Sequence, residues 1–263
     1  MIRLFSLILF VVLFPSYGGM AQRIVSLVPS VTHTLIQIGA EENIVGRTSY
    51  CPEVPGALIV GDVISTNIES IISLQPDVVF TMSFTKQSAI EKLKSLGIHV
   101  VSMETPRSFN EMCEQTINIA QEIQRTDYAK KYVLREQLFV KDLEKKYLSQ
   151  RNDFKAFFQI GSNPLFGVDI NSYMDEYMSR LGLCNIIDSQ NGQCSREFVV
   201  LSKPQYIFIS DMGSTGMAQK EKAIWEKLLP QCRLIMVDSN KSCCPTPQFF
   251  RETLEYLFKA IEQ

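Results

Sequence analysis

The chain has 263 residues, of which 46% are hydrophobic and 21% are charged, and its formal net charge at pH 7 is -2. This length and apolar content suffice for one large hydrophobic core or two modest ones. The slightly acidic balance excludes the broad positive surface that nucleic acid or an anionic membrane would need.

The first 21 residues have the three regions of a secretory signal peptide. Arg3 precedes an apolar run at residues 5–14, and small residues follow at Gly19 and Ala21. About ten apolar residues before a Pro/Gly break are too few for a membrane anchor, which needs roughly 20. We therefore expect export to the periplasm with cleavage after Ala21. The first later cysteine is Cys51, so we also expect no lipid anchor and a freely soluble mature protein.

Beyond Ala21, short strands rich in β-branched residues alternate with amphipathic helices. A strand at residues 23–27 leads into a helix that ends at Gly39. Further strands are predicted at residues 78–82, 99–103, 156–160, 206–210 and 234–238. Helices are predicted between them at residues 87–96, 108–123, 173–181 and 225–229. This order predicts an α/β fold with parallel sheets.

The middle of the chain contains a long stretch without helix breakers. No glycine occurs between residues 97 and 161, and no proline between residues 106 and 164. Within this stretch, aromatic and apolar residues recur at spacings of four and seven: Tyr128, Tyr132, Phe139, Leu143 and Tyr147. The pattern predicts one helix over about residues 127–148. Such a helix can be ordinary core packing, but its central position favours a rigid strut between two lobes.

Two segments, residues 67–80 and 195–208, share one pattern. In each, an N-cap residue, Asn67 or Ser195, stands two positions before a glutamate. A proline seven positions after that glutamate ends the helix, and a strand follows. The match predicts two related three-layer α/β lobes, at residues 22–125 and 151–263, joined by one long helix within residues 126–150.

The two glutamates of this repeat, Glu69 and Glu197, have two interpretations. A carboxylate in the first turn of a helix offsets the helix dipole, which contributes about 0.3–1 kcal/mol and explains either residue. Alternatively, two equivalent helix starts hold two acidic groups on one outer face, where a two-fold symmetric partner offers two basic pockets. The spacing alone does not separate these interpretations.

Several segments between residue 23 and the C-terminus resemble the class III periplasmic binding proteins. They are RIVSLVPS at 23–30, IVG at 44–46, QPD at 75–77, FQIG at 158–161, NPLF at 163–166 and SRE at 195–197. The resemblance is to the BtuF-like branch of cobalamin and helical-backbone metal receptors. It implies two α/β lobes joined by a single long helix, with a ligand held between the lobes. It also implies a monomeric, non-enzymatic component of an ABC importer, without a cofactor.

The resemblance also implies which residues bind the ligand. Tyr50 and Phe166 match aromatic positions that clasp a corrin, and Met82 stands where a tryptophan is expected. The implied cleft is lined by residues 29–32, 82–85 and 163–166 and by Tyr50 and Asn240, with Ser30, His33, Tyr50, Met82, Phe166 and Asn240 as ligand-binding residues. Its expected ligand is cobalamin or a related corrinoid, with haem or a ferric siderophore as the alternative. Glu69 and Glu197 match the positions that dock onto the two subunits of the permease dimer.

The two histidines are interpreted separately. The family pattern continues with glutamate where this chain has His33. A single histidine usually caps or packs, but a neutral imidazole can also bind the metal of a corrin or a porphyrin. His99 lies inside a predicted strand, and we assign it a structural role. Two histidines so placed do not form a bare transition-metal site.

Seven cysteines follow the predicted cleavage site, at positions 51, 113, 184, 194, 232, 243 and 244. Export would permit disulfides, and the odd number leaves at least one free thiol. The adjacent Cys243 and Cys244 also allow an alternative of another class, a secreted thiol- or metal-dependent enzyme. No nucleophile elbow, phosphate loop or zinc-helix motif supports an enzyme.

Overall fold

The computed structural model describes residues 22–62, 66–83, 85–147, 154–189, 191–210 and 216–262. The predicted signal peptide at residues 1–21 lies outside the described residues. So does position 84 of the predicted cleft loop at residues 82–85.

The N-terminal half is a parallel sheet with helices on both faces. Its strands are β1 (Ile24–Ser26), β2 (Ile44–Arg47), β3 (Leu58–Ile59), β4 (Val78–Met82) and β5 (His99–Met103). They are arranged in the order β3-β2-β1-β4-β5, and all four neighbouring pairs are parallel. The helices are α1 (Pro29–Gln37), α2 (Ile68–Ser73), α3 (Gln87–Ser95) and α4 (Phe109–Glu122).

A long helix, α5 (Thr126–Tyr147), leads into the C-terminal half. The strands of this half are β6 (Lys155–Ser162), β7 (Leu165–Gly167), β8 (Cys184–Asn185), β9 (Tyr206–Ser210) and β10 (Arg233–Val237). The sheet order is β10-β9-β6-β7, with β8 on the first residues of β6, and only the β6–β7 pair is antiparallel among the described strands. The helices are α6 (Tyr173–Arg180), α7 (Arg196–Ser202), α8 (Met217–Leu228), α9 (Ser239–Ser242) and α10 (Pro247–Glu262).

Each sheet is covered on both faces, which confirms the predicted α/β fold with three layers in each lobe. One continuous core connects the inner faces of both sheets and includes Phe80, Phe158, Phe208 and Phe250, all fully buried. A smaller cluster fills the space under α2 and α3, and another packs around Trp225 of α8. Burial of each phenylalanine contributes about 1.5–3 kcal/mol, so the shared core is the main force that holds the two sheets together.

Helix α5 spans one residue more at its start and one fewer at its end than the sequence predicted. Its buried positions follow helical spacing and face α4 and α10: Ala129, Tyr132, Val133, Glu136, Val140 and Tyr147. The absence of glycine and proline lets the helix run without interruption. The lobe boundaries at residues 125 and 151 stay predictions.

The predicted strands at β4, β5, β6, β9 and β10 are confirmed within two residues. The prediction of a helix at residues 225–229 is wrong in extent, because α8 begins at Met217. The last helix, α10, was not predicted. No helix among the described ranges is both long enough and apolar enough to cross a bilayer.

Candidate functional site

The carboxyl ends of the strands carry the residues that the sequence assigned to ligand binding. In the N-terminal half, Ser30 and His33 lie on α1 directly after β1, Tyr50 follows β2, and Met82 ends β4. Open α/β sheets bind ligands at this edge. In the C-terminal half, Phe166 lies on β7 and Asn240 on α9, directly after β10. The fold therefore brings both sets to the ligand-binding edges of their sheets.

A cavity of about 910 Å³ lies between the two halves. The N-terminal half lines it with the segment after β5, and the C-terminal half with β6 and the connection from β7 to α6. Its lining consists of Glu104, Thr105, Pro106, Arg107, Glu111, Ile160, Val168, Asp169, Ile170, Asn171, Ser172, Tyr173 and Met174. This volume lies near the upper end of the usual range for small-molecule sites, so the cavity can hold a large planar chelate.

The charges around this cavity are mainly negative. Glu104, Glu111 and Asp169 contribute three carboxylates against the single guanidinium of Arg107. The Ser83 hydroxyl donates to Glu104 Oε2 at 2.9 Å, and the Arg107 backbone N–H donates to Glu111 Oε2 at 2.7 Å. These hydrogen bonds hold both carboxylates in place at the cavity wall. The cavity thus favours ligands that present hydrogen-bond donors or positive charge.

Beside the cavity, one hydrogen bond joins the two halves directly. The backbone N–H of Phe109, the first residue of α4, donates to Glu176 Oε2 on α6 at 2.6 Å. Glu176 also pairs with Arg180 at 2.5 Å, and Arg180 pairs with Glu144 of α5. The Arg180 guanidinium lies 5.6 Å from the ring centre of Phe109. The network fixes the spacing of the two lobes on this side.

None of the six predicted ligand residues is among the residues that line this cavity. Tyr50 is 68% exposed, Ser30 and Met82 are buried, and Phe166 is half-buried beside Gly161. The exposed Asn240 donates its backbone N–H to Asp238 Oδ1 at 2.9 Å, as a residue in the first turn of a capped helix does. Their ligand contacts stay predictions.

His33 packs against the C-terminal half. Its ring centre lies 4.7 Å from that of Phe249 on α10, and the two rings meet edge to face. Burial lowers the pKa of His33 below its usual range, so the imidazole is neutral at pH 7. A neutral ring suits both packing and metal binding. The other histidine, His99, lies 2.8 Å from Glu122 Oε2 at the surface, in agreement with a structural role.

The repeated helix starts have the predicted caps. Asn67 Oδ1 accepts a hydrogen bond from the Ser70 N–H at 3.0 Å, and Ser195 Oγ accepts one from the Phe198 N–H at 3.1 Å. Glu69 and Glu197 are both exposed in the first turns of α2 and α7. Hydrogen bonds from its own backbone N–H and from the Ser195 hydroxyl lower the pKa of Glu197. Both side chains are thus accessible, as either interpretation requires.

The sequence permitted disulfides, but all seven cysteines are free thiols in this structure. Burial raises the pKa of Cys244 to about 12 and also raises the pKa of Cys243. A catalytic thiol needs a lowered pKa, so this pair does not have the properties of an activated nucleophile. Within the described ranges, no group of three or more His, Cys, Asp or Glu residues could hold a metal ion.

The cavity residues of both halves were not among the predicted ligand-binding residues. Glu104 to Arg107 directly follow β5, whose end was predicted, so the rule that ligands bind at the carboxyl ends of parallel strands was a usable signal for them. Residues 168–172 connect β7 to α6, and β7 was not predicted. The antiparallel pairing of β6 with β7 determines where that connection begins, and it is a tertiary feature that the sequence pattern did not show.

The family model described as periplasmic binding protein matches residues 24–229. The chain is 27% identical over 218 residues to the uncharacterized ABC transporter substrate-binding lipoprotein YvrC of Bacillus subtilis, covering 79% of this chain and 69% of that protein. It is 26% identical over 228 residues to the vitamin B12-binding protein of Yersinia pestis, covering 84% of this chain and 79% of that protein.

Two solved structures from Vibrio cholerae share the fold. The vitamin B12-binding protein BtuF has a TM-score of 0.74 at 22% identity, covering 92% of this chain and 99% of its own. The haem-binding protein HutB has a TM-score of 0.79 at 17% identity, covering 93% of this chain and 100% of its own. At these identities the likeness shows the two-lobed fold alone.

Proposed function

The chain belongs to the periplasmic binding protein family, and we propose that it captures cobalamin or a related corrinoid and delivers it to the permease of an ABC importer. The coarser role of an ABC transporter substrate-binding protein follows from the family and from the relatives named above. The choice of ligand rests on one observation, the acidic lining of the cavity between the lobes.

The charge of the cavity favours a corrinoid over haem. Haem carries two propionate carboxylates, whereas the corrin rim carries neutral amide side chains whose N–H groups donate hydrogen bonds. Two carboxylates about 5 Å apart repel each other by about 3 kcal/mol at an effective dielectric constant of 20. Glu104, Glu111 and Asp169 therefore oppose an anionic chelate and offer acceptors to amide groups.

Export and docking complete the proposal. The protein is exported with a signal peptide cleaved after Ala21 and works in the periplasm as a monomer. Glu69 and Glu197, one in each lobe, contact basic residues of the permease dimer. The aromatic and polar residues at the sheet edges, among them Tyr50 and Phe166, contact the ligand from the two lobes.

The acidic lining can be tested by removing charge without changing shape. Glu104→Gln combined with Asp169→Asn should weaken aquocobalamin binding and strengthen haemin binding, each by about tenfold, since 1.4 kcal/mol corresponds to that factor. Glu114→Gln, an exposed change on α4, is the matched control and should leave both affinities unchanged. If the double variant keeps the ligand preference of the unmodified protein, the charge argument is wrong. If the unmodified protein binds haemin more tightly than aquocobalamin, the proposed ligand is wrong and haem takes its place.

A further inference from the structure

Arg47, the last residue of β2, carries a buried charge that the protein does not neutralise. The residue is only 9% exposed. The Nη1 group donates to the backbone oxygens of Thr48 and Cys51, both at 3.2 Å, while Nε is buried without a partner. A guanidinium has five N–H donors, so these two hydrogen bonds leave much of its capacity unused.

Two other sheltered arginines of the chain have acidic partners. Arg180 pairs with Glu144 and Glu176, and Arg251 pairs with Glu136 at 2.7 Å. Across the part of the chain that the structure describes, Arg47 makes no ion pair with a carboxylate. A buried charge is costly unless it is paired, so an unpaired one points to an anionic partner that binds from outside.

The sheet register directs Arg47 toward the start of α1. Arg47 is the register partner of Ser26 on β1, and partners on adjacent strands project to the same face of a sheet. Ser26 faces α1, since its Oγ donates to Val28 O at 3.2 Å and accepts from the Thr32 hydroxyl at 2.8 Å. The Arg47 side chain therefore lies on the α1 side of the sheet.

The first turn of α1 has unused positive character of its own. Val28 at the N-cap makes no side-chain capping hydrogen bond, and the first turn contains no acidic residue. The amides of Ser30 and Val31 donate to no acceptor that the structure describes. The N-terminus of a nine-residue helix with free amides attracts anions through the helix dipole. Two independent features, the uncapped helix start and a guanidinium without an acidic partner, thus lie on the same side of the sheet.

We propose that Arg47 and the first turn of α1 form a subsite for an anionic oxygen group of the ligand, a phosphate or a carboxylate. The Ser30 hydroxyl supplies a further donor to the same group. Along the sheet, β2 and β5 are separated by three strand spacings, roughly 14 Å, so this subsite and the acidic cavity lie at opposite sides of one edge. A ligand with amide groups at one end and an anion at the other would bind in one orientation.

This inference rests on the proposed function, and cobalamin has the required asymmetry. Its nucleotide loop contains a phosphodiester, whereas cobinamide has the same corrin ring without that loop. Arg47→Met should weaken cobalamin binding by about 10- to 100-fold, as loss of a charge-assisted hydrogen bond does, and cobinamide binding by less than about threefold. Arg47→Lys retains the charge and should retain most of the discrimination.

Each outcome of this comparison decides the inference. Equal losses for both corrinoids would overturn it, because Arg47 would then only brace the loop that carries Tyr50. If Arg47→Met does not fold, inorganic phosphate should lower the preference of the unmodified protein for cobalamin over cobinamide, while sodium chloride at equal ionic strength does not; no such difference would also overturn it.

If the unmodified protein binds neither corrinoid, the proposed function fails independently of the subsite. The subsite is then tested with haemin and its dimethyl ester, which lacks the two carboxylates. A loss in Arg47→Met that is confined to haemin supports the subsite, and equal losses for haemin and its ester contradict it.

Discussion

The hydroxyl of Tyr132, near the start of α5, donates a 2.8 Å hydrogen bond to Gln37 Oε1 at the end of α1. The same hydroxyl accepts the Gln248 N–H at the start of α10, at 3.1 Å, and Gln37 Nε2 donates to Thr246 Oγ1 at 3.2 Å. One residue of the long helix thus joins the first helix of one lobe to the last helix of the other. Burial raises the pKa of Tyr132 strongly, so the hydroxyl stays protonated and can donate.

Tyr132→Phe should destabilise the protein by about 1–3 kcal/mol, because the half-buried Gln37 side-chain carbonyl and Gln248 N–H both lose their partner while the ring is retained. Urea unfolding followed by circular dichroism measures this free energy. Tyr128→Phe, at an exposed position of the same helix, is the control and should change stability by less than about 0.5 kcal/mol. A variant as stable as the unmodified protein would show that the junction is not important for lobe attachment.

A second connection between α5 and α10 is ionic. Glu136 is 1% exposed and pairs with Arg251 at 2.7 Å and with Arg135 at 2.8 Å. Glu136→Gln should cost about 2–4 kcal/mol of unfolding free energy, because it leaves the sheltered Arg251 guanidinium with one partner fewer. Arg135→Gln should cost at most about 1 kcal/mol, since Arg135 is 57% exposed. Thermal unfolding of both variants measures the two losses of stability. Equal losses would contradict the account.

The fold was more predictable from the sequence than the site. Strands such as β4 and β9 are continuous apolar runs beside a proline, and α5 lacks breakers over its whole length, so local patterns sufficed for them. Strands β2 and β3 have four and two residues, too few to show a period. Helix α10 has a strong apolar stripe from Pro247 onward, so its periodicity was a signal that the sequence predictions did not use.

The cavity and the Arg47 subsite depend on tertiary contacts. Glu104 and Asp169 are 65 positions apart and meet only because two sheets pack against a shared core. The buried state of Arg47 is set by the β1–β2 register, which no local pattern specifies. Sequence reasoning could place residues at the carboxyl ends of strands, but it could not tell which ends face a common space.

Protonation of His33 should make stability depend on pH. Burial lowers its pKa in the folded state, so the unfolded chain binds this proton more readily. As the pH falls below about 6.5, the usual pKa of histidine, the protein should lose stability, and the loss should stop growing below the folded pKa. His33→Phe retains a ring against Phe249 and should remove this part of the pH dependence. The measurement is the change in the urea unfolding midpoint between pH 7 and pH 5. An equal change in the unmodified protein and in His33→Phe would contradict a buried neutral imidazole.

Charge reversal at the two helix starts should separate binding from delivery. The double variant Glu69→Arg/Glu197→Arg should bind ligand within about twofold of the unmodified protein but should not support uptake in cells that contain the importer. The loss of two dipole contacts at exposed positions should lower stability only slightly, which leaves the protein folded. Glu42→Arg/Glu226→Arg, at exposed positions of the same two halves, is the control for total charge and should leave uptake normal. Normal uptake by the Glu69→Arg/Glu197→Arg variant would contradict the docking proposal.

The central claim is that the cleft between the two lobes holds a corrinoid. Its most direct test is to mix purified residues 22–263 with aquocobalamin, with haemin and with a ferric siderophore, remove unbound ligand by gel filtration, and record the absorbance of the protein fraction. The account predicts retained corrin absorbance at one equivalent per chain and little retained haem or siderophore. Retention of haem or siderophore alone, or of no ligand, would contradict it.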